Sequence, residues 1–383
     1  MSEKYPEMKQ DAMVCFCNSN KAWGGGERWH LESALYLARE GYNVILACGA
    51  GDPLWRMAQE ELDLDAKSER PVLSGKFRLA DWSFGNLAFL NPFKGSGFSR
   101  FLAQNRVSHL ILNLPADLKV GVPAAGRKNS FQGAVKVYYR RGSAIPVKAS
   151  AMNGYLYSRL TALIANSKET AECVRQAHVM DPARIHVIYN GLDSVAFDKG
   201  LFDSGVRLVT APGSPDAPDA PYAPDALDTP AAPHVDATGA AAFPTAFSAE
   251  RPLVIGNAGR LSGQKAQKYL LHMSAELKRR SFPHKLLIAG DGELRGELHG
   301  LAASLGLEPC RDSGLFSAKM VSGEALRSFR TQQGDVCFAG FLKNMAPFWA
   351  ATDLFALSSI WEGFGYALAE AMLAVKPLLA FDC

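Results

Sequence analysis

The chain has 383 residues, 48% of them hydrophobic and 21% charged, which is room for two cores of ordinary globular composition. Its formal charge of +3 is too small to argue for a nucleic-acid partner. Residues 1–10 are polar, without the apolar stretch of a signal peptide, and no run approaches the ~20 apolar residues of a membrane span.

Residues 13–20 open the chain as an apolar strand. A glycine cluster follows, then 27–40, where Leu31, Ala34, Leu35 and Ala38 recur at helical spacing. Gly41 closes that helix, and 43–48 is the next strand. Further strands are predicted at 109–114, 135–139, 160–166 and 185–189, with helices at 54–62, 98–105 and 168–178. Strands that alternate with helices pair in parallel, so residues 1–200 read as one doubly wound domain.

From about 211 to 246 the composition turns to Pro, Ala, Asp and Gly. Such a stretch offers too little apolar area to offset its ordering entropy, and 205–250 is expected to be a disordered linker without chemistry of its own. The pattern then restarts. Strands are predicted at 253–258, 285–289, 336–339, 354–357 and 378–381, alternating with helices at 266–280, 293–305, 345–352 and 366–373. The expected fold is therefore α/β, with two doubly wound, parallel-sheet, Rossmann-like domains and a ligand cleft between them at the carboxyl ends of their strands. The second domain, 251–383, reads as incomplete, because the sequence stops straight after a strand.

Seven cysteines are scattered along the chain, and Cys15 with Cys17 has no second Cys or His pair at zinc spacing. They read as small buried apolar residues in a reducing compartment, with no metal site. The cytoplasm is the expected location.

Three loops carry candidate chemistry. Gly24-Gly25-Gly26-Glu27 lies between a strand and a helix, where glycine lets backbone N–H groups approach an anion. It reads either as such a cradle or as a tight turn. A dinucleotide fingerprint fails there, since Trp29 stands where the third glycine belongs. Arg260 and Lys265 flank the loop after the first strand of the second domain. They are either solvated charges or a pair that neutralises a diphosphate. Gly290-Asp291-Gly292 is a further turn in that domain, non-specific by itself.

The sharpest segment is Trp361-Glu362-Gly363-Phe364-Gly365-Tyr366, followed by Glu370. Its glycines leave N–H groups available at a helix start. Glu370 falls in the apolar run Ala367, Leu368, Ala369, Ala371, Met372, Leu373. A carboxylate there needs donors, either from the fold or from a ribose or sugar diol.

These motifs resemble glycosyltransferase family 4, enzymes of GT-B fold that move a sugar from a nucleotide donor with retention of configuration. The resemblance runs from Gly24-Gly25-Gly26-Glu27 through Ile164-Ala165-Asn166-Ser167 and Ile188-Tyr189-Asn190-Gly191 to the end, and is strongest over 253–382. It implies an E-x7-E arrangement at Glu362 and Glu370, with Glu362 on the donor sugar and Glu370 on the ribose hydroxyls. Arg260 and Lys265 would bind the diphosphate, with backbone amides of Gly25, Gly26, Phe364, Gly365 and Tyr366 completing the cradle. Phe341 and Leu342 would enclose the base. Many relatives carry a histidine where this chain has Arg140 and Arg141, have a shorter loop at 308–335, and continue past the last strand.

The implied partners are a nucleotide-sugar donor, with no separate cofactor or metal, and a glycan or lipid-linked acceptor in surface polysaccharide or lipopolysaccharide synthesis. A non-catalytic nucleotide-sugar binder is the competing reading. Lys119, Arg127, Lys128, Lys136, Arg140, Arg141 and Lys148 read either as a solvated basic surface or as an acceptor side that touches an anionic membrane at its inner face. No RNA-binding fingerprint is present.

Overall fold

The computed structural model of the chain describes residues 12–126, 135–204, 247–248, 250–310, 316 and 322–382. It divides into two compact units, Met1–Asn190 and Gly191–Cys383, each built on one parallel sheet.

In the first unit the strands are β1 (Met13–Cys17), β2 (Asn43–Cys48), β3 (Phe77–Asp81), β4 (Val107–Leu112), β5 (Lys136–Arg141), β6 (Ala162–Ala165) and β7 (Ile185–Val187). Helices α1 (Gly25–Arg39), α2 (Pro53–Ala66), α3 (Pro92–Gln104), α4 (Pro115–Ala125), α5 (Ala151–Ser158) and α6 (Lys168–Arg175) connect them, with a short 3-10 turn at Ala88–Leu90. The sheet runs β3-β2-β1-β4-β5-β6-β7. Strand alternation explains its two cores. Val14 and Phe16 point to the cluster that receives Leu31, Ala34, Leu35 and Ala38 of α1. Cys15 and Cys17 point to the other face, where Phe98 and Leu102 of α3 cover them. Each large apolar side chain so buried contributes about 1.5–3 kcal/mol. Cys15, Cys17 and Cys48 are buried thiols, and burial pushes those of Cys15 and Cys48 up to about 12, which leaves them inert as nucleophiles.

The second unit opens with α7 (Ser194–Asp203) and continues with β8 (Leu253–Ala258), α8 (Lys268–Arg279), β9 (His284–Ala289), α9 (Arg295–Ser304), α10 (Gly323–Thr331), β10 (Val336–Gly340), α11 (Ala346–Ala351), β11 (Leu354–Leu357), α12 (Tyr366–Leu373) and β12 (Leu378–Ala380). Its order is β10-β9-β8-β11-β12. Every residue of β8 and β9 is buried, as a central parallel strand covered on both faces requires.

Several elements are invisible to apolar periodicity. β3 is an edge strand with only Phe77 buried. α4 carries Pro115 and Pro123, which argue against a helix in sequence, yet Pro115 sits at the first turn, where its missing N–H costs nothing. α10 occupies part of the supposed long loop 308–335, and Ser322 caps it by accepting from the Ala325 N–H. The first unit ends at Asn190 rather than at 200, because α7 delivers Leu201 to the second core. The supposed linker at 205–250 lies outside the described residues, apart from 247, 248 and 250.

Candidate functional site

In the second sheet, chain order departs in both directions from β8: β9 and β10 lie on one side, β11 and β12 on the other. The connecting helices therefore leave on opposite faces at the β8/β11 pair, and the loops at the carboxyl ends of these strands become the natural ligand position. Those loops carry Arg260 to Lys265 and Ser358 to Gly365, two segments separated by about a hundred residues of sequence.

The two loops are joined by side chains that the sequence did not mark. Gln264 donates from Nε2 to the Trp361 carbonyl at 2.9 Å, and its own carbonyl accepts from the Ile360 N–H at 2.9 Å. Ser358 donates from Oγ to the Lys265 carbonyl at 2.8 Å. Across this seam Lys265 Nζ forms an ion pair with Glu362 Oε1, and Ser359 Oγ donates to the same oxygen at 2.6 Å. Both charged side chains are mostly buried, at 19% and 18% exposure. A pair at that depth is held by its hydrogen bonds as much as by Coulomb attraction, and removing one partner strands the other.

Arg260 takes a different position. It is exposed and reaches Glu293 at 3.0 Å, so the expected Arg260–Lys265 grouping is present as two separate ion pairs. Its backbone is fixed by Gln267, which is buried and donates from Nε2 to the Arg260 carbonyl at 3.1 Å. The turn after β9 packs against this loop through Gly290. With φ at +135° and a hypothetical Cβ only 2.0 Å from the Gly259 carbonyl oxygen, no other residue fits there. The Gly290-Asp291-Gly292 turn thus has a structural task.

Gly365 caps α12 in the left-handed region at φ +73°, and so directs the first N–H groups of that helix into the loop. Phe364 and Tyr366 meet edge-to-face with centroids 5.1 Å apart. Glu370 is half-buried on α12. After β10, Phe341 is 55% exposed, while Leu342 packs against the second core.

The first unit gathers its own polar cluster at its switch point, β1/β4. Asn18 after β1 and Asn113 after β4 both donate to Glu27 Oε1, each at 3.3 Å. Glu27 is buried in the first turn of α1, where a carboxylate also suits the helix dipole. Gly25 is exposed at the start of α1. Gly26 leaves room for the neighbouring Asn113 and Arg140, which a Cβ would meet at 3.1 and 3.4 Å.

The expected basic surface over Lys136, Arg140 and Arg141 is interrupted by burial. Lys136 is exposed and Arg141 half-buried, with its guanidinium on the Tyr157 hydroxyl at 3.4 Å. Arg140 is only 5% exposed. Its guanidinium lies 5.5 Å from the Trp29 ring and donates to Asn190 Oδ1 at 3.4 Å. Arg140 therefore belongs to the cluster around Gly26 and not to an outer surface. Arg127 and Lys128 lie outside the described residues.

Two buried groups beside this cluster are electrostatically perturbed. His30 is fully buried against Phe16 and Trp29, and burial, with the Arg140 charge, holds its pKa well below the usual value. Asp117 accepts from the N–H groups of Leu114 at 2.9 Å and Ser19 at 3.4 Å, yet burial pushes its carboxyl up to about 7. Neither residue announces itself in sequence. No helix among the described residues is long and apolar enough to cross a membrane.

Two parallel α/β units, each with a polar loop cluster at the reversal point of its strand order, define a pair of Rossmann-like domains of GT-B type. Residues 23–195 match the family Glycosyltransferase Family 4, and residues 317–383 match Glycosyl transferases group 1. Both matches are to glycosyltransferase families, so the chain is family-4-like in sequence as well as in fold. Over 127 residues it is 29% identical to an uncharacterized glycosyltransferase of Methanocaldococcus jannaschii, an alignment covering 33% of this chain and 25% of that protein. The chain spans about a quarter of the length of the curated relatives it matches. Among solved structures it is similar to Anabaena HepE in complex with UDP-glucose, with a TM-score of 0.58, 17% identity, and coverage of 96% of this chain and 80% of that one. The lipopolysaccharide outer core galactosyltransferase WaaB is also similar, with a TM-score of 0.52, 16% identity, and coverage of 97% and 81%.

Proposed function

We propose that the chain is a retaining glycosyltransferase that moves a sugar from a nucleotide-diphosphate donor to a glycan or lipid-linked acceptor in surface-polysaccharide or lipopolysaccharide synthesis. The observation that carries this reading is the seam at β8/β11, where Lys265 and Glu362 pair beside the helix start at Gly365. HepE, a structural neighbour, was solved with UDP-glucose, which supports a nucleotide-sugar donor. WaaB, a lipopolysaccharide outer core galactosyltransferase, supports the acceptor class.

In this mechanism the bond between the anomeric carbon and the diphosphate oxygen breaks as the acceptor oxygen bonds to the same face of that carbon. The acceptor proton passes to the departing phosphate. Arg260, Lys265 and the amides of Phe364, Gly365 and Tyr366 stabilise the charge that develops on the diphosphate. The exposed Arg260–Glu293 pair is weak enough to be exchanged for phosphate. Glu362 contacts the donor sugar, Glu370 accepts from the ribose diol, and Phe341 with Leu342 borders the base. Gly25 and Gly26 offer amides at the start of α1. The cytoplasm holds the donor, and no divalent ion is required.

Calorimetry with UDP-, GDP- and ADP-sugars, followed by a transfer assay with anomeric readout by NMR, tests the proposal. Binding of one donor and product with the donor's anomeric configuration is expected, unaffected by EDTA. Binding without turnover, on the full-length protein with a panel of acceptors, would establish a non-catalytic binder instead. Binding of none of these donors would overturn both.

A further inference from the structure

The turn after β3 carries three large apolar side chains outward. Leu87, Leu90 and Phe93 recur at every third residue and are 70%, 66% and 84% exposed. Local structure holds them there. Ala88 is buried and Phe89 packs on the first core, while the Leu90 N–H bonds to the Leu87 carbonyl at 3.0 Å. Asn91 then caps α3, accepting from the N–H groups of Phe93 at 3.0 Å and Lys94 at 3.3 Å. At the start of the turn Phe84 is buried, and its N–H donates to Ser19 Oγ in the β1 loop at 2.7 Å. The three side chains thus stand on an anchored platform at the carboxyl edge of the seven-stranded sheet.

The turn itself carries only basic charge, and Asp81 at the end of β3 is the exposed acid that precedes it. Residues 82–116 contain no Asp or Glu. Lys94 is exposed beside Phe93, Lys119 Nζ lies 5.0 Å from the Phe89 ring, and Arg100 is exposed on α3. Of the two acids that bound the stretch, Asp117 is buried, and Asp81 is exposed but accepts from the Ala50 N–H at 3.0 Å. A side chain as exposed as Phe93 projects from the surface and does not line a groove, which suits entry into a fluid layer better than a fit to a folded partner. Apolar tips flanked by two lysines match a bilayer whose headgroups are anionic: the tips enter between headgroups and the ammonium groups stay at phosphate level.

We propose that Leu87, Leu90 and Phe93, together with Lys94 and Lys119, form a docking surface by which the first unit binds an anionic lipid bilayer. The expected membrane contact thereby moves from Arg140 and Arg141 to the turn after β3. The surface shares no residue with the donor site, so its failure and that of the glycosyltransferase reading are separable. That it would bring the enzyme to a lipid-linked acceptor rests on that reading.

Flotation of the full chain with phosphatidylcholine vesicles, with and without about 30% phosphatidylglycerol, tests it. Binding is expected to the anionic vesicles only, falling steeply as NaCl rises from about 0.05 to about 0.5 M. The triple variant Leu87→Ser, Leu90→Ser, Phe93→Ser should lose about tenfold or more in vesicle affinity, with unchanged circular dichroism. Lys94→Glu with Lys119→Glu should lose binding to the same vesicles while leaving the apolar tips in place. The proposal is overturned if the wild type floats with neither vesicle or if the triple variant floats like the wild type. It is equally overturned if the triple change abolishes only self-association in light scattering.

Discussion

Arg260 and Lys265 are both cations in one loop, yet they differ in what they hold up. Arg260 forms an exposed pair with Glu293, worth at most about 1 kcal/mol to stability. Arg260→Ala should therefore leave the urea midpoint nearly unchanged while lowering kcat/KM by roughly two orders of magnitude, the effect of removing ~3 kcal/mol of transition-state stabilisation. Near-normal turnover would take Arg260 out of the mechanism. Lys265→Ala, by contrast, leaves Glu362 mostly buried without its partner and should lose stability as well as rate. His30 and Asp117 make opposite demands on pH. His30 is held neutral, so its contribution is lost as pH falls below 6.5, the unfolded value. Asp117 is raised from 3.8 to about 7, so its contribution is present below pH 3.8 and lost as pH rises toward 7. Between those limits the two oppose each other. Asp117→Asn should expose the acid-side loss, with a urea midpoint that falls as pH drops from 6.5, while His30→Phe should expose the opposite slope. Parallel pH profiles for both variants would remove this account.

Among the elements, those whose burial follows from an unbroken apolar run were legible. β8 was read at its observed bounds, because each of its six residues is buried and the pattern needs no partner to be recognised. α1 was read from its Leu31, Ala34, Leu35, Ala38 stripe. β3, α4 and α10 were not, since an edge strand shows a weak pattern and a helix with prolines is decided by position within its turn. Turns follow the same logic. Gly290 looked like an unspecific loop glycine, but its close approach to the Gly259 carbonyl is what locks the β9 turn to the β8 loop. Gly290→Ala should destabilise the second unit by several kcal/mol, about 3, since a main-chain clash at φ +135° has no rotamer to relieve it. An unchanged thermal midpoint would show that the turn can shift away.

For the whole molecule, two units with separate cores predict two distinguishable responses to ligand. A nucleotide sugar at about a hundred times its Kd stabilises the unit that binds it by about 2.7 kcal/mol. Hydrogen exchange with and without donor should show protection concentrated in the loops at residues 259–267 and 358–370, and little in β2 or β3. Protection confined to the first unit would place the nucleotide elsewhere. The sequence by itself determined the alternation of strands and helices, the restart of that pattern, and the residue types at the β8 and β11 loops, because apolar periodicity and glycine chemistry are local. Only the tertiary structure decided that Lys265 meets Glu362, that Arg260 turns to Glu293, and that Arg140 is buried on Trp29. Those outcomes depend on strand order, which brings loops up to a hundred residues apart into contact and sets what covers the face of β5 on which each arginine falls.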